Sequence, residues 1–258
     1  MTLSPDLTPL TPRKRAVLVG ASSGIGAALA RELAHRGYAL ALLARRAGAL
    51  DALCREINAA AGDTRAVAYT HDVTDYELIP ALFQKLLADL GRIDSVVYAA
   101  GVMPTVTFTE YNFDKDKAMV DSQLLGALAW LGQAAALFER MGEGQIVGIA
   151  SVAGDRGRVL NPGYGAAKAG FVTYLESLRN RLTRRGVNVL TIKPGRVDTE
   201  MSRAAGMTRG LYPVGKTAAA IARAMHKRKQ VVYIPGWYRF LMLGIIHTPS
   251  FIFRRLKF

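Results

Sequence analysis

From Arg15 onward, short runs of aliphatic and β-branched residues alternate with longer stretches whose apolar positions return every three or four residues. The short runs predict seven strands, at 16–19, 39–44, 66–70, 95–99, 145–149, 188–193 and 231–234. The longer stretches predict helices near 25–36, 47–60, 75–90, 112–140, 163–185 and 216–228, several ended by a glycine such as Gly37, Gly91 or Gly186. Strands that alternate with helices in this way are βαβ units, which build a parallel sheet. The strand runs are apolar throughout instead of alternating with polar residues, as central strands covered on both faces require. The pattern therefore predicts an α/β fold with a doubly wound parallel sheet, organised as one domain over 15–236. A stretch rich in Pro, Thr and Ser at 1–14 reads as a flexible tail, and 237–258 reads as an apolar and basic helical extension.

The residues that carry chemistry stand at the ends of the predicted strands. After the first strand comes Gly20-Ala21-Ser22-Ser23-Gly24-Ile25-Gly26, where glycines permit a tight turn. They also let backbone N–H groups and a helix N-terminus approach a pyrophosphate, which makes Gly20, Ser22, Ser23, Gly24, Ile25 and Gly26 a candidate dinucleotide cradle. The second strand ends in Ala44-Arg45-Arg46, without the carboxylate that would hold adenosine ribose hydroxyls and repel a 2′-phosphate. Two guanidiniums at that place point to NADP(H), with Arg45 the principal phosphate ligand and Arg46 beside it.

Tyr164 and Lys168 are four residues apart on a predicted helix, so they share a face one turn from each other. A tyrosine hydroxyl with its ordinary pKa near 10 exchanges protons poorly at neutral pH. A neighbouring ammonium favours the phenolate, and Lys168 is expected to lower Tyr164 in this way. Ser151 ends the fifth strand, where its hydroxyl is placed to hydrogen-bond a substrate carbonyl oxygen beside Tyr164.

Taken in order, the glycine loop, Asp72-Val73, Ala99-Ala100-Gly101, Ser151, Tyr164 with Lys168, and Pro194-Gly195 followed by Thr199 resemble the short-chain dehydrogenase/reductase family over 15–234. The resemblance implies a Rossmann-like seven-stranded sheet with helices on both faces. It implies that Asp72 and Val73 contact adenine and that Ala99, Ala100 and Gly101 line the cofactor cleft. Pro194, Gly195 and Val197 would belong to the same wall, Thr199 would hold the nicotinamide carboxamide, and Lys168 would also bind the nicotinamide ribose. In the implied reaction NADPH delivers hydride to a ketone while Tyr164 protonates the oxygen and Ser151 orients it, or the alcohol is oxidised in reverse.

Two departures from the family pattern are visible. Tyr98 and Ala99 stand where the family has two asparagines, and Gln123-Leu124-Leu125-Gly126 stands where it carries a catalytic Asn. Gln123 keeps the amide on a side chain one methylene longer, so it is expected to hold the same position imperfectly. The segment 151–158, with Asn161 and Tyr164, is similar to the branch that contains decaprenylphosphoryl-2-keto-ribose reductase. That similarity implies a lipid-linked keto sugar or another bulky apolar ketone, with Met103, Pro104, Arg156, Arg158 and Tyr212 at the substrate mouth. A 3-oxoacyl-carrier reductase, a steroid- or retinoid-type reductase and a catalytically silent NADP(H) sensor are the alternatives. Homodimers or homotetramers are the family's usual assemblies.

Charge adds a question about partners. Lys and Arg number 34 against 20 Asp and Glu, a formal net charge of +14, and Glu200 is the last acidic residue. Such a surplus attracts phosphates, anionic lipid or an acidic carrier protein, or serves only as a solvated face. No nucleic-acid-binding motif accompanies it, so nucleic acid is not expected. In 237–258 aromatic and aliphatic residues mingle with Arg and Lys, as in a segment lying at a membrane interface. Its apolar run falls far short of the roughly 20 residues a spanning helix requires. Cys54 is the only cysteine, which excludes an internal disulfide, and the four histidines stand at spacings that give no metal site. The expectation is a cytoplasmic protein, peripheral on the inner membrane face through 237–258.

Overall fold

The computed structural model of the chain describes residues 13–256. The tail expected at 1–14 therefore lies outside the described residues except for its last two, as do Lys257 and Phe258 of the extension.

Seven strands form the sheet: β1 (Arg15–Val19), β2 (Ala39–Ala44), β3 (Ala66–Thr70), β4 (Ser95–Tyr98), β5 (Gly144–Ile149), β6 (Val187–Pro194) and β7 (Val231–Ile234). They pair in parallel throughout, in the order β3-β2-β1-β4-β5-β6-β7. The chain winds outward in both directions from β1, and a crevice opens at the carboxyl ends of β1 and β4, where the winding reverses.

Helices α1 (Gly24–His35), α2 (Ala47–Ala61) and α8 (Val214–His226) pack on one face of the sheet. Helices α3 (Ile79–Leu90), α5 (Gly126–Met141) and α6 (Pro162–Leu182) pack on the other, with α4 (Phe113–Val120) leading into α5. The two faces explain the unbroken apolar strands. In β1, Ala16 and Leu18 point into one core while Val17 and Val19 point into the other, and all four are buried. Helix α2 stops where Gly62 takes a left-handed φ of 71° and returns its N–H to the Asn58 carbonyl.

The single helix expected over 112–140 is interrupted. Asp121–Leu125 form a π-helical turn between α4 and α5. Tyr98 Oη donates to the Ser122 carbonyl and Tyr76 Oη to the Asp121 carbonyl at 3.2 Å. These outside donors share carbonyls of the widened turn, where that of Asp121 also accepts from Gly126 N–H, five residues on. A short helix absent from the sequence expectation, α7 (Glu200–Ala204), follows Thr199, whose Oγ1 accepts from Ser202 N–H at 3.2 Å. The extension folds as α9 (Tyr238–His247) and α10 (Ser250–Phe253). No described helix is long and apolar enough to cross a membrane.

Candidate active site

A cleft of about 1000 Å³ opens along the carboxyl ends of the strands. Of the site residues expected from the sequence, it gathers all except Arg156, Arg158 and Tyr212.

At one end the glycine loop is fixed by Leu43, whose carbonyl accepts from both Gly20 N–H and Ala21 N–H at 2.8 and 3.0 Å. Gly20 has φ +93°, and a Cβ there would stand 2.4 Å from Ala100 N. A Cβ on Gly26 would stand 2.0 Å from the Gly20 carbonyl oxygen, so the loop and α1 close on each other only without side chains. Ser23, the N-cap of α1, makes no side-chain cap bond, which leaves the first N–H donors of the helix for a ligand. These residues fit a pyrophosphate.

Both arginines after β2 border this end. Arg46 donates through Nε to Ser22 Oγ at 3.3 Å and through Nη2 to the Ser22 carbonyl at 3.2 Å, and lies 3.6 Å from Glu200. Arg45 reaches the Asp72 carboxylate at 3.5 Å. Arg46 is thus tied to the glycine loop, and Arg45, the expected principal phosphate ligand, borders the same end of the cleft. Burial works to raise the Asp72 carboxyl, but hydrogen bonds from Thr74 and the Arg45 charge hold it below its ordinary range.

At the other end, Ser151 follows β5 and its Oγ accepts from Ala153 N–H at 3.1 Å, opening a tight turn. That turn packs against α6 so closely that a Cβ on Gly154 would stand 2.7 Å from the Lys168 carbonyl carbon. The packing brings Ser151 close enough to Tyr164 for its hydroxyl to act on the phenol. Lys168 is buried, donates from Nζ to the Ile149 carbonyl at 2.9 Å, and lies 5.8 Å from the Tyr164 ring centre.

Burial dominates the electrostatics of both groups. Burial raises the Tyr164 hydroxyl above its ordinary range, against a lowering from the Ser151 hydrogen bond and the Arg158 charge. Lys168 is itself brought down to about 7 by burial. Its ammonium donates one hydrogen bond to the Ile149 carbonyl and faces the Tyr164 ring, and the Arg158 charge also acts to lower Tyr164.

Gln123 is buried in the π-helical turn and donates through Nε2 to the Val102 carbonyl at 2.7 Å. Its extra methylene is what reaches that carbonyl, and it packs so tightly on Gly101 that a Cβ there would stand 2.6 Å from Gln123 Cγ. Tyr98 fills the space beneath, with its hydroxyl on the Ser122 carbonyl and within 2.5 Å of where a Cβ on Gly126 would lie. The two departures from the family pattern are therefore neighbours that stabilise one turn. Gln123→Asn should lose the Val102 bond at a cost of about 1 kcal/mol. A melting curve should show this as a fall in Tm of roughly 2–4 °C.

Arg156, Arg158 and Tyr212, expected at the substrate mouth, do not line the cleft, although the Arg158 charge acts on Tyr164. Arg156 donates to the carbonyls of Ile245, Ile246 and Thr248 and lies 3.9 Å from the Phe253 ring centre, so its guanidinium is engaged by the end of α9. Arg158 points beneath α9, 3.4 Å from the Val152 carbonyl and 3.9 Å from Met242 Sδ. Tyr212 bridges to Val197 and packs on the α1 and α8 core. Met103 and Pro104 do line the cleft, joined by Met201. Sequence reasoning also missed Asp155, which receives Lys193 Nζ at 2.5 Å and Tyr233 Oη at 2.9 Å and so ties the loop after Ser151 to β6 and β7. Among the described residues no group of His, Cys, Asp and Glu is placed to hold a metal ion.

The short chain dehydrogenase family model matches residues 14–210. The chain belongs to the short-chain dehydrogenase family. It is 32% identical over 232 residues to an uncharacterized oxidoreductase of Mycobacterium tuberculosis, covering 90% of this chain and 91% of that one. It is 30% identical over 235 residues to the ketoacyl reductase HetN of Nostoc, covering 88% and 80%. Among solved structures, a short-chain dehydrogenase from Sphingobium yanoikuyae in complex with NADPH superposes with a TM-score of 0.80 at 26% identity, over 90% of this chain and 93% of that one.

Proposed function

We propose that this family member is an NADP(H)-dependent reductase of ketones, also able to oxidise the corresponding secondary alcohols. The observation that carries the reading is one cleft holding a pyrophosphate cradle with two arginines at one end and Ser151, Tyr164 and Lys168 at the other. Bound NADPH supplies the hydride. Ser151 holds the substrate carbonyl oxygen through its hydroxyl. The Tyr164 hydroxyl, kept protonated at neutral pH by burial, gives its proton to the oxygen as it becomes an alcohol. Lys168, with a pKa brought to about 7, is suited to pass a proton back to Tyr164 and to bind the nicotinamide ribose.

For the cofactor, Asp72 and Val73 would hold adenine, Ala99, Ala100, Gly101, Pro194, Gly195 and Val197 would form the wall, and Thr199 would take the carboxamide. Arg45 and Arg46 would take the 2′-phosphate, with Ser22 beside them. Met103, Pro104 and Met201 give the substrate end an apolar lining. It suits a bulky apolar ketone, of which a keto sugar on a polyprenyl phosphate is the specific case. The similarity to the ketoacyl reductase HetN favours a second reading, a 3-oxoacyl-carrier reductase. The reading includes a cytoplasmic homodimer or homotetramer.

Initial rates with NADPH and with NADH, against aliphatic ketones, 3-oxoacyl thioesters and a polyprenyl-phosphate keto sugar, test this directly. Turnover should prefer NADPH, and preference within the panel decides the substrate class. Replacing Arg45 and Arg46 together by Ala should raise the NADPH Kd at least about tenfold, the loss of one charge-assisted hydrogen bond, and leave NADH almost unaffected. Tight NADPH binding without turnover on any ketone would instead assign the chain to the silent NADP(H) sensors.

A further inference from the structure

Apart from Arg239 and His247, helix α9 is apolar, yet the domain covers only one side of it. Tyr238, Met242 and Ile245 form the inner side; Met242 is buried, and a Cβ on Gly195 would stand 2.4 Å from the Tyr238 ring. The outer side carries Phe240, Leu241, Leu243 and Ile246, all exposed, Phe240 to 75%. Beyond it α10 exposes Phe251 to 59% and Ile252 to 43%. An exposed apolar face of this extent marks an interaction site.

The chemistry around the patch selects the partner. Arg239, Arg254 and Arg255 stand exposed among these residues, and the sequence has no carboxylate after Glu200. A second copy of the chain meeting this face across a twofold axis would set like charges against each other with no acidic residue of the segment to pair them. A surface of anionic headgroups over hydrocarbon complements both the charge and the apolar area. The end of α9 is also prepared to leave water. Carbonyls at a helix terminus ordinarily rely on solvent, whereas Arg156 satisfies those of Ile245, Ile246 and Thr248.

We propose that α9 and α10 form a docking surface for an anionic phospholipid bilayer. Arg156 and Arg158 fix that surface to the loop joining Ser151 to Tyr164, whose own tip exposes Val159 and Leu160. Docking thus sets the bilayer beside the loop that carries the candidate catalytic serine.

Co-sedimentation of the full-length protein with vesicles tests this, using phosphatidylcholine alone and phosphatidylcholine mixed with phosphatidylglycerol. The mixed vesicles should bind the protein and the neutral ones much less. Arg254→Gln with Arg255→Gln should weaken binding roughly 25-fold, about fivefold for each charge removed near the surface. Phe240→Ser with Phe251→Ser should abolish it, while NADPH binding by the same variant confirms an intact fold. Equal binding of wild type and the Phe variant, or no binding to either vesicle, overturns the proposal. Dissociation of a wild-type oligomer by the Phe variant, without any vesicle effect, also overturns it and gives the face to a second copy.

Discussion

Tyr164→Phe is expected to lower kcat for ketone reduction by roughly a thousandfold while leaving the NADPH Kd unchanged, because it removes one hydroxyl and little volume. General acid catalysis by a positioned side chain contributes about 10²–10⁴-fold, and no other described side chain offers Ser151 a phenolic partner at that place. The raised pKa of Tyr164 means that its proton is present at neutral pH and absent only in strong alkali. Reduction should therefore not lose its acid anywhere between pH 6 and pH 9, and the variant should be slow across that whole range. Steady-state kinetics with a cofactor titration read both quantities. A variant within a few-fold of wild type would remove Tyr164 from the chemistry.

Lys168→Met should move activity and stability in opposite directions. Burial brings Lys168 to about 7, well under its ordinary 10.5, so between those values the unfolded chain binds more protons than the native one. Stability then rises with pH through that window, and below pH 7 the full cost of burying the ammonium is felt. The Met variant, of similar length and without charge, should be more stable than wild type by about 1–3 kcal/mol at pH 7 and below. The difference should shrink toward zero near pH 10.5. Denaturant titrations at several pH values measure it, and turnover in the same variant should fall by about a hundredfold or more. A residue kept at such a cost is explained by function and not by folding.

The strands were the most legible part of the chain. β2, β3 and β7 begin and end where their apolar runs do; β2 is buried along its length, whereas the edge strands β3 and β7 are only partly covered and expose Val67 and Val231. The glycine loop was legible for a steric reason: contacts of 2.0 and 2.4 Å at Gly26 and Gly20 leave no room for a Cβ, so residue type and backbone geometry are tied together. What the sequence hid was non-local. The π-helical turn depends on Tyr98 and Tyr76, which come from β4 and from the segment before α3. Nothing in the periodicity of 112–140 records them. Arg156 sits five residues after Ser151 and looked like a substrate ligand, but its partners lie about ninety residues later in α9 and beyond. The Tyr164 and Lys168 spacing was plain, yet the direction of both pKa shifts follows from burial, which spacing does not encode.

Transfer of deuterium from NADPH labelled at the nicotinamide C4 tests the central claim most directly. After a single turnover with wild-type protein and the ketone panel, mass spectrometry should find the label on the carbinol carbon of one alcohol, and Tyr164→Phe should slow its appearance roughly a thousandfold. Tight binding of the labelled NADPH with no deuterium reaching any ketone would contradict the account.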